Sequence, residues 1–208
     1  MDFFKHSELA GKHALLSPSQ PYWLNYNEDK LFEKYLSNYA QAMGTALHEL
    51  AEQLIRHGIK LKKTDKTVVL LHLLESGIPR AAIEIDRIYN NFMNYVNDAI
   101  GFRLTPEQLL VYSNNCFGTA DAISFKNNFL RIHDYKSGTT PAKMEQLMIY
   151  AALFCLEYKY KPGEIEMELR IYQNDEIICH NPEADEIAPI MDTIIHHDRM
   201  LADLNEGV

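Results

Sequence analysis

Phe117-Gly118-Thr119-Ala120-Asp121-Ala122-Ile123-Ser124-Phe125-Lys126-Asn127-Asn128-Phe129-Leu130-Arg131-Ile132-His133-Asp134-Tyr135-Lys136-Ser137-Gly138 is the stretch on which the fold turns. Two short runs, Thr119 to Phe125 and Phe129 to Tyr135, read as strands, and Asn127-Asn128 between them is a turn dipeptide. Upstream, Leu109, Val111 and Ser113 alternate with Leu110 and Tyr112, so a three-stranded antiparallel meander is expected. Side chains alternate faces along a strand, which puts Asp134 and Lys136 on one side. Counting six residues back from Asn127 and six forward from Asn128 sets Asp121 opposite Asp134, about 5 Å away as cross-strand neighbours are.

Two carboxylates that close repel one another unless a cation lies between them, and an oxygen-rich pocket suits Mg²⁺ or Mn²⁺. Such an ion lowers the pKa of a bound water and polarises a phosphoryl group. Lys136 would hold the attacking hydroxide or offset charge in the transition state; its own proton role stays open, because burial can lower a lysine pKa. The competing reading of any Asp-x-Lys is a plain ion pair, but an exposed pair gains at most about 1 kcal/mol. The expected chemistry is therefore metal-assisted hydrolysis.

The remaining chain frames this segment with helices. Ser17-Pro18-Ser19 carries a helix-start signal, with a helix expected through Trp23. Between Glu28 and His57, Leu31, Tyr35, Leu36, Tyr39, Met43, Leu47, Leu50 and Leu54 recur at helical spacing, with Gly44 as a break or a close packing point. Thr67 to Ile100 is helical by pattern, with a turn at Ser76-Gly77-Ile78-Pro79. Thr140-Pro141 should start a helix carrying Met144, Leu147, Met148, Ala151, Leu153 and Leu156. Two more strands flank Asn174-Asp175, and an amphipathic helix runs from about Glu183 to Leu204. The expectation is one α+β domain over residues 1–208, a small, mainly antiparallel central sheet flanked by helices after a helical N-terminal part.

With 208 residues, 47% hydrophobic and 24% charged, the composition is that of a globular protein. Met1 to Lys12 lacks a continuous apolar run, and Leu147 to Leu156 is interrupted and far short of a membrane span, so a cytosolic protein is expected. Cys116, Cys155 and Cys179 have no metal or disulfide spacing and are expected to be buried thiols. A net charge of −9 opposes general binding to nucleic acid, so any such surface must be local. Arg56, Lys60, Lys62, Lys63 and Lys66 make one basic segment, which reads either as a nucleic-acid contact or as a solvated loop. His196-His197-Asp198 sits on a helix where neighbours diverge by about 100°, so it reads as surface.

Gly118-Thr119-Ala120-Asp121, Asp134-Tyr135-Lys136-Ser137-Gly138 and Gln146 to Tyr150 together resemble the PD-(D/E)XK nuclease superfamily, in its RecB-like branch. The resemblance covers about residues 13 to 155, and His13 to Ser19 with Trp23-Leu24 is similar to the start of phage-encoded members. It implies a restriction-endonuclease-like fold, with residues 58–104 as a helical insertion. It also implies Asp121 and Asp134 as metal ligands and Lys136 as the catalytic lysine. Gly44-Thr45-Ala46-Leu47-His48 fits the branch's upstream histidine, making His48 a further ligand or a site-closing residue. Glu107 is the best match for a glutamate ahead of the first motif strand, although Pro106 at a helix start would make it a simple dipole-compensating residue. Glu52, one turn after His48, is a neighbour of interest. Gln146 and Tyr150, four apart on one helix face, would orient substrate or the lysine. The four cysteines of the iron–sulfur subclass are missing, which excludes that cluster.

The function expected is a Mg²⁺- or Mn²⁺-dependent deoxyribonuclease, an exonuclease acting on DNA ends in phage or mobile-element recombination and repair. It would work in the cytoplasm of a bacterium or phage-infected host, with a helicase or single-strand annealing protein as partner and a homo-oligomer as a route to processivity. Two alternatives stay open: an endonuclease or single-strand- or structure-specific nuclease of the same fold, and a catalytically inactive nucleic-acid-binding module.

Overall fold

The computed structural model describes residues 4, 6–7 and 14–206, so His13 lies outside the described residues. Five strands, β1 (Thr105–Ser113), β2 (Cys116–Lys126), β3 (Phe129–Tyr135), β4 (Glu166–Gln173) and β5 (Glu176–His180), form one sheet in sequence order. The β1–β2, β2–β3 and β4–β5 pairs are antiparallel. The β3–β4 pair is parallel, because a helix, α5 (Glu145–Tyr158), carries the chain back across the sheet between them. Asn127-Asn128 and Asn174-Asp175 all have φ between 52° and 60°, the left-handed values that the favoured two-residue hairpin turn requires. The fold is α+β, with a mostly antiparallel sheet.

Period-2 alternation in β3 and β4 builds two hydrophobic layers. Leu130, Ile132, Leu169 and Ile171 are buried against α5 and α6 (Ala184–Glu206), with Leu147, Ala151 and Ile187 among their partners. Tyr135 and Tyr172 face the other way, into a core with α2 (Ala40–His57), α3 (Lys66–Glu75) and α4 (Ile85–Phe102). Each fully buried leucine, isoleucine or aromatic contributes roughly 1.5–3 kcal/mol. Phe92 and Tyr95 of α4 pack on Tyr135 at ring separations of 5.4 and 5.9 Å. Residues 58–104 are therefore built into one of the two cores rather than attached outside it.

Several local expectations need correction. The N-terminal signal yields only a 3₁₀ turn, Pro21–Asn25, with Pro21 in its first turn; Ser17 and Ser19 bond each other instead of capping a helix. The stretch after Glu28 is two helices, α1 (Glu28–Ser37) and α2, parted at Asn38-Tyr39; Gly44 lies inside α2, where an added Cβ would stand 3.8 Å from Ser137 Oγ. Helix α5 begins at Glu145, not Thr140-Pro141, because buried Gln173 ties down the intervening segment, which bends at 138–140. Its amide donates to the carbonyls of Gly138 (2.7 Å) and Thr140 (2.8 Å) and accepts from Ala142 N–H (2.8 Å). Of the cysteines only Cys155 is buried, while Cys179 is exposed on β5. Among the described residues no helix is long and apolar enough to cross a membrane.

Candidate functional site

The β2–β3 ladder pairs Ala122 with His133, and the next pair in that register is Asp121 with Asp134. There the ladder opens: the Asp121 carboxylate accepts a 3.2 Å hydrogen bond from Tyr135 N–H. On the other side, the β1–β2 register pairs Pro106 with Ala122 and Gln108 with Ala120, leaving Glu107 facing Asp121 without regular pairing. Glu107 has φ 51°, costly for a residue other than glycine inside a strand. The alternation of β2 breaks at the same place, since Ala120 packs in the α5 core and Ala122 in the α2–α4 core. Glu107 thus sits within β1, not at the first turn of a helix. The wrung hairpin brings its carboxylate beside Asp121.

His48 enters from α2, with Nδ1 3.5 Å from Asp121 Oδ2 and 3.8 Å from Glu107 Oε1. Burial lowers the His48 pKa and outweighs the pull of Asp134, so the ring is neutral near pH 7. These contacts are too long for hydrogen bonds and join no charged imidazolium; they bring a ring nitrogen close to two carboxylates. Among the described residues, His48, Glu107 and Asp121 form a group whose ligand atoms all lie within 4.8 Å of one another.

Asp134 stands beside this trio rather than within it. Its side chain is only 2% exposed, and Oδ1 accepts a 2.7 Å hydrogen bond from Lys136 Nζ. The other oxygen, Oδ2, is buried with no hydrogen-bond partner. Burial pulls the Lys136 pKa down, but the charge and hydrogen bond of Asp134, with Asp121 behind it, outweigh that pull and raise the pKa above its ordinary value. Lys136 is therefore held as a cation beside Asp134. Asp121 is held well above the usual carboxylate range, first by burial and then by the charge of Asp134. Glu107 is raised by burial and by Glu52, the latter paired at 2.8 Å with Arg56.

These features fit a divalent cation. Two carboxylates and an imidazole converge, the neighbouring Asp134 has an unpartnered acceptor oxygen, and burial with a like charge opposes ionisation of Asp121. Carboxylate oxygens with one imidazole nitrogen suit Mn²⁺ at least as well as Mg²⁺.

Helix α5 supplies the next ring of side chains. Tyr150 packs so close to β2 that a Cβ at Gly118 would lie 3.0 Å from its Cε1, so any larger residue there must displace the ring. Gln146 Nε2 is 3.5 Å from the Tyr150 hydroxyl. Burial raises the Tyr150 pKa, and the charges of Asp121 and Asp134 add to the shift, so the phenol remains a donor. A hollow of about 510 Å³ opens beside Lys136 and Gln146, with Thr140, Ala142, Lys143 and Ile149 in its wall.

Sequence reasoning missed the scaffold beneath the site. Tyr135, between Asp134 and Lys136, donates to Ile88 O at 3.3 Å. His133, fully buried, meets the Tyr172 hydroxyl at 3.1 Å, and that hydroxyl donates to Asp98 at 2.7 Å. Burial pushes the His133 pKa down to about 3, so it is a neutral core histidine. A charged partner set, Arg131, Glu168 and Arg170, surrounds it, with nothing in the local sequence to announce the cluster.

Apart from Arg56, which pairs with Glu52 and pulls against the raised Glu107 pKa, the basic segment takes no part in this cluster, and neither do the C-terminal histidines. Lys66 pairs with Asp86, while Lys60, Lys62 and Lys63 are exposed on the loop that follows α2. His196 and His197 are exposed on α6, and Asp198 accepts from Ser113 and Asn115.

No solved structure matches this chain. A family described as a protein of unknown function (DUF2800) matches residues 13–196, which take in every element from the 3₁₀ turn at Pro21 through most of α6. On that match, the chain belongs to the DUF2800 family.

Proposed function

We propose that this chain is a metal-dependent nuclease that hydrolyses DNA phosphodiester bonds. The observation that carries the reading is the meeting of His48, Glu107 and Asp121 at a break in the sheet, with Asp134 and its partner Lys136 beside them. The resemblance of the same residues to RecB-like PD-(D/E)XK nucleases supports it, as does a meander followed by a crossover helix bearing Gln146 and Tyr150. A restriction-endonuclease-like fold, action on DNA ends and a partnership with a helicase or annealing protein belong to this proposal, on the resemblance.

His48, Glu107, Asp121 and the free oxygen of Asp134 would hold Mg²⁺ or Mn²⁺. When bound, the ion would supply Lewis-acid stabilisation of phosphoryl charge and ease deprotonation of water. Lys136 Nζ, held by Asp134, places a positive charge where negative charge grows as the phosphorus is attacked. Its raised pKa keeps that charge through the neutral range. Tyr150 and Gln146 present a phenol and an amide on the same side, suited to fixing a phosphate or an attacking water.

The test is digestion of linear duplex, single-stranded and closed circular DNA in Mg²⁺, Mn²⁺ or EDTA, with Lys136→Ala alongside. Divalent-dependent cleavage that falls at least about a hundredfold in the variant supports the reading. Cleavage of linear forms alone would identify an exonuclease. Unchanged activity in Lys136→Ala would refute the role of the lysine, and metal-independent DNA retention without cleavage would identify a binding module instead.

A further inference from the structure

The sheet ends in β1 on one side and β5 on the other, and only the first of these edges is guarded. An edge strand offers a row of unpaired backbone groups, which natural sequences blunt with proline, lysine, bulges or a covering side chain. β1 has Pro106, a register shift between Val111 and Ser113, and a Glu157 carboxylate that accepts the Val111 N–H at 2.9 Å. β5, Glu176-Ile177-Ile178-Cys179-His180, has no proline, lysine or glycine, and its ladder with β4 runs without a shift.

The two-residue turn at Asn174-Asp175 makes Gln173 and Glu176 the hydrogen-bonded pair beside it. Hydrogen-bonded and non-hydrogen-bonded pairs alternate along an antiparallel ladder, so Ile177 and Cys179 turn their N–H and C=O groups away from β4. Among the described residues, no backbone group outside the sheet bonds to them. The side chains are open as well. Ile177 and Ile178 are each 42% exposed, and Cys179 is exposed. They lie on alternate faces, Ile178 beside Ile171 on the α5–α6 side, Ile177 and Cys179 beside Tyr172 and Arg170 on the α2–α4 side.

A strand added to this edge must therefore carry apolar residues on both of its faces at the centre, a base opposite Glu176 and an acid opposite His180. β5 read in the antiparallel direction is such a strand. A two-fold axis through Ile178 sets Ile177 against Cys179 of a second copy, Ile178 against its own mate, and Glu176 against His180. Within β5 no other antiparallel register pairs both Ile177 and Cys179, the two residues whose backbone groups face outward. His180 meets Glu186 at 2.9 Å through Nε2, which leaves Nδ1 for the acid of the other copy.

We propose that β5 is a homodimer interface, joining two copies of this chain through isologous antiparallel pairing into one continuous sheet. The proposal is independent of the nuclease reading. Because the carboxylate cluster is carried by β1, β2, β3 and α2, it stays clear of this edge in both copies. Five residues a side make a small interface, so assembly depends on protein concentration.

The test is sedimentation equilibrium of the full chain in reducing buffer, over a concentration series reaching hundreds of micromolar. The weight-average mass should rise toward twice that of the monomer. Ile178→Lys puts two like charges face to face on the axis and should hold the chain monomeric, and Glu176→Lys should weaken association at least about threefold. Cross-linking checks the register without relying on a disruptive change. In a Cys179→Ser background, Ile178→Cys brings two thiols together across a non-hydrogen-bonded pair, with Cα atoms about 4.5 Å apart, and should form a disulfide-linked dimer on mild oxidation. Glu176→Cys, four residues out of step with its own mate, should not. A parent chain that stays monomeric throughout would overturn the proposal and leave the edge to a strand of another protein. A dimer indifferent to both lysine variants, or one that Glu176→Cys links as readily as Ile178→Cys, would overturn it equally.

Discussion

Replacing Asp121 by asparagine should stabilise the metal-free protein, although the residue is central to the site. Its ligand oxygen lies within 4.8 Å of that of Glu107, and Asp134 adds a second negative neighbour. Two full charges at that distance repel by about 3.5 kcal/mol at an effective dielectric of 20. Partial protonation, the opposing charge of Lys136 and solvent at Glu107 reduce this, leaving a gain of about 1–2 kcal/mol, or roughly 3–6 °C in Tm for a domain of this size. The pH dependence has a definite sign. Burial and Asp134 raise the Asp121 carboxyl above its unfolded value, so the folded state holds that proton more tightly. The associated stability is complete below the unfolded pKa of about 4 and is lost as pH rises through the raised value. Thermal melts followed by circular dichroism in EDTA should therefore show the variant's advantage at pH 7.5, shrinking as pH is lowered toward 4. Millimolar Mn²⁺ should raise the Tm of the parent protein and leave the variant nearly unmoved. A variant less stable than its parent in EDTA, or a gap that does not change with pH, would refute this electrostatic reasoning.

Other residues give independent checks. Lys136→Met leaves Asp134 buried beside Asp121 without a partner and should cost about 2–4 kcal/mol in urea denaturation, while the double variant Asp134→Asn/Lys136→Met should recover most of the loss. Gly118→Ala forces the Tyr150 ring away from β2; a cost of about 1–3 kcal/mol is expected, with a loss of turnover on DNA larger than the loss of folded protein can explain. Reversing Lys60, Lys62 and Lys63 to glutamate should weaken DNA binding and flatten its dependence on salt, as measured by anisotropy between 50 and 200 mM NaCl. An unaltered salt slope would identify the segment as a solvated loop.

The meander was legible because its signals are local. Period-2 alternation, an Asn-Asn turn with both residues left-handed and a fixed count from the turn place Asp121 opposite Asp134, and Asp-x-Lys puts the lysine on the same side. Glu107 was harder. Its position depends on a left-handed residue within a strand and on a twist that moves Ala120 and Ala122 into different cores, neither of which follows from propensity. The start of α5 was misplaced for a related reason: Thr140-Pro141 is a sound local start signal, but three hydrogen bonds from Gln173, more than thirty residues away in sequence, override it. Likewise the buried set of His133, Tyr172, Asp98 and Arg170 draws on two strands and a helix, and no spacing within any one of them forecasts it.

Whether His48, Glu107, Asp121 and Asp134 share one divalent cation is open to direct observation, by anomalous X-ray scattering from crystals of the protein soaked in Mn²⁺. The account predicts an anomalous peak bounded by the His48 imidazole and the Glu107 and Asp121 carboxylates, within ligand distance of the unpaired oxygen of Asp134. A map with no peak there, or with Mn²⁺ bound only at other surface carboxylates, would contradict it.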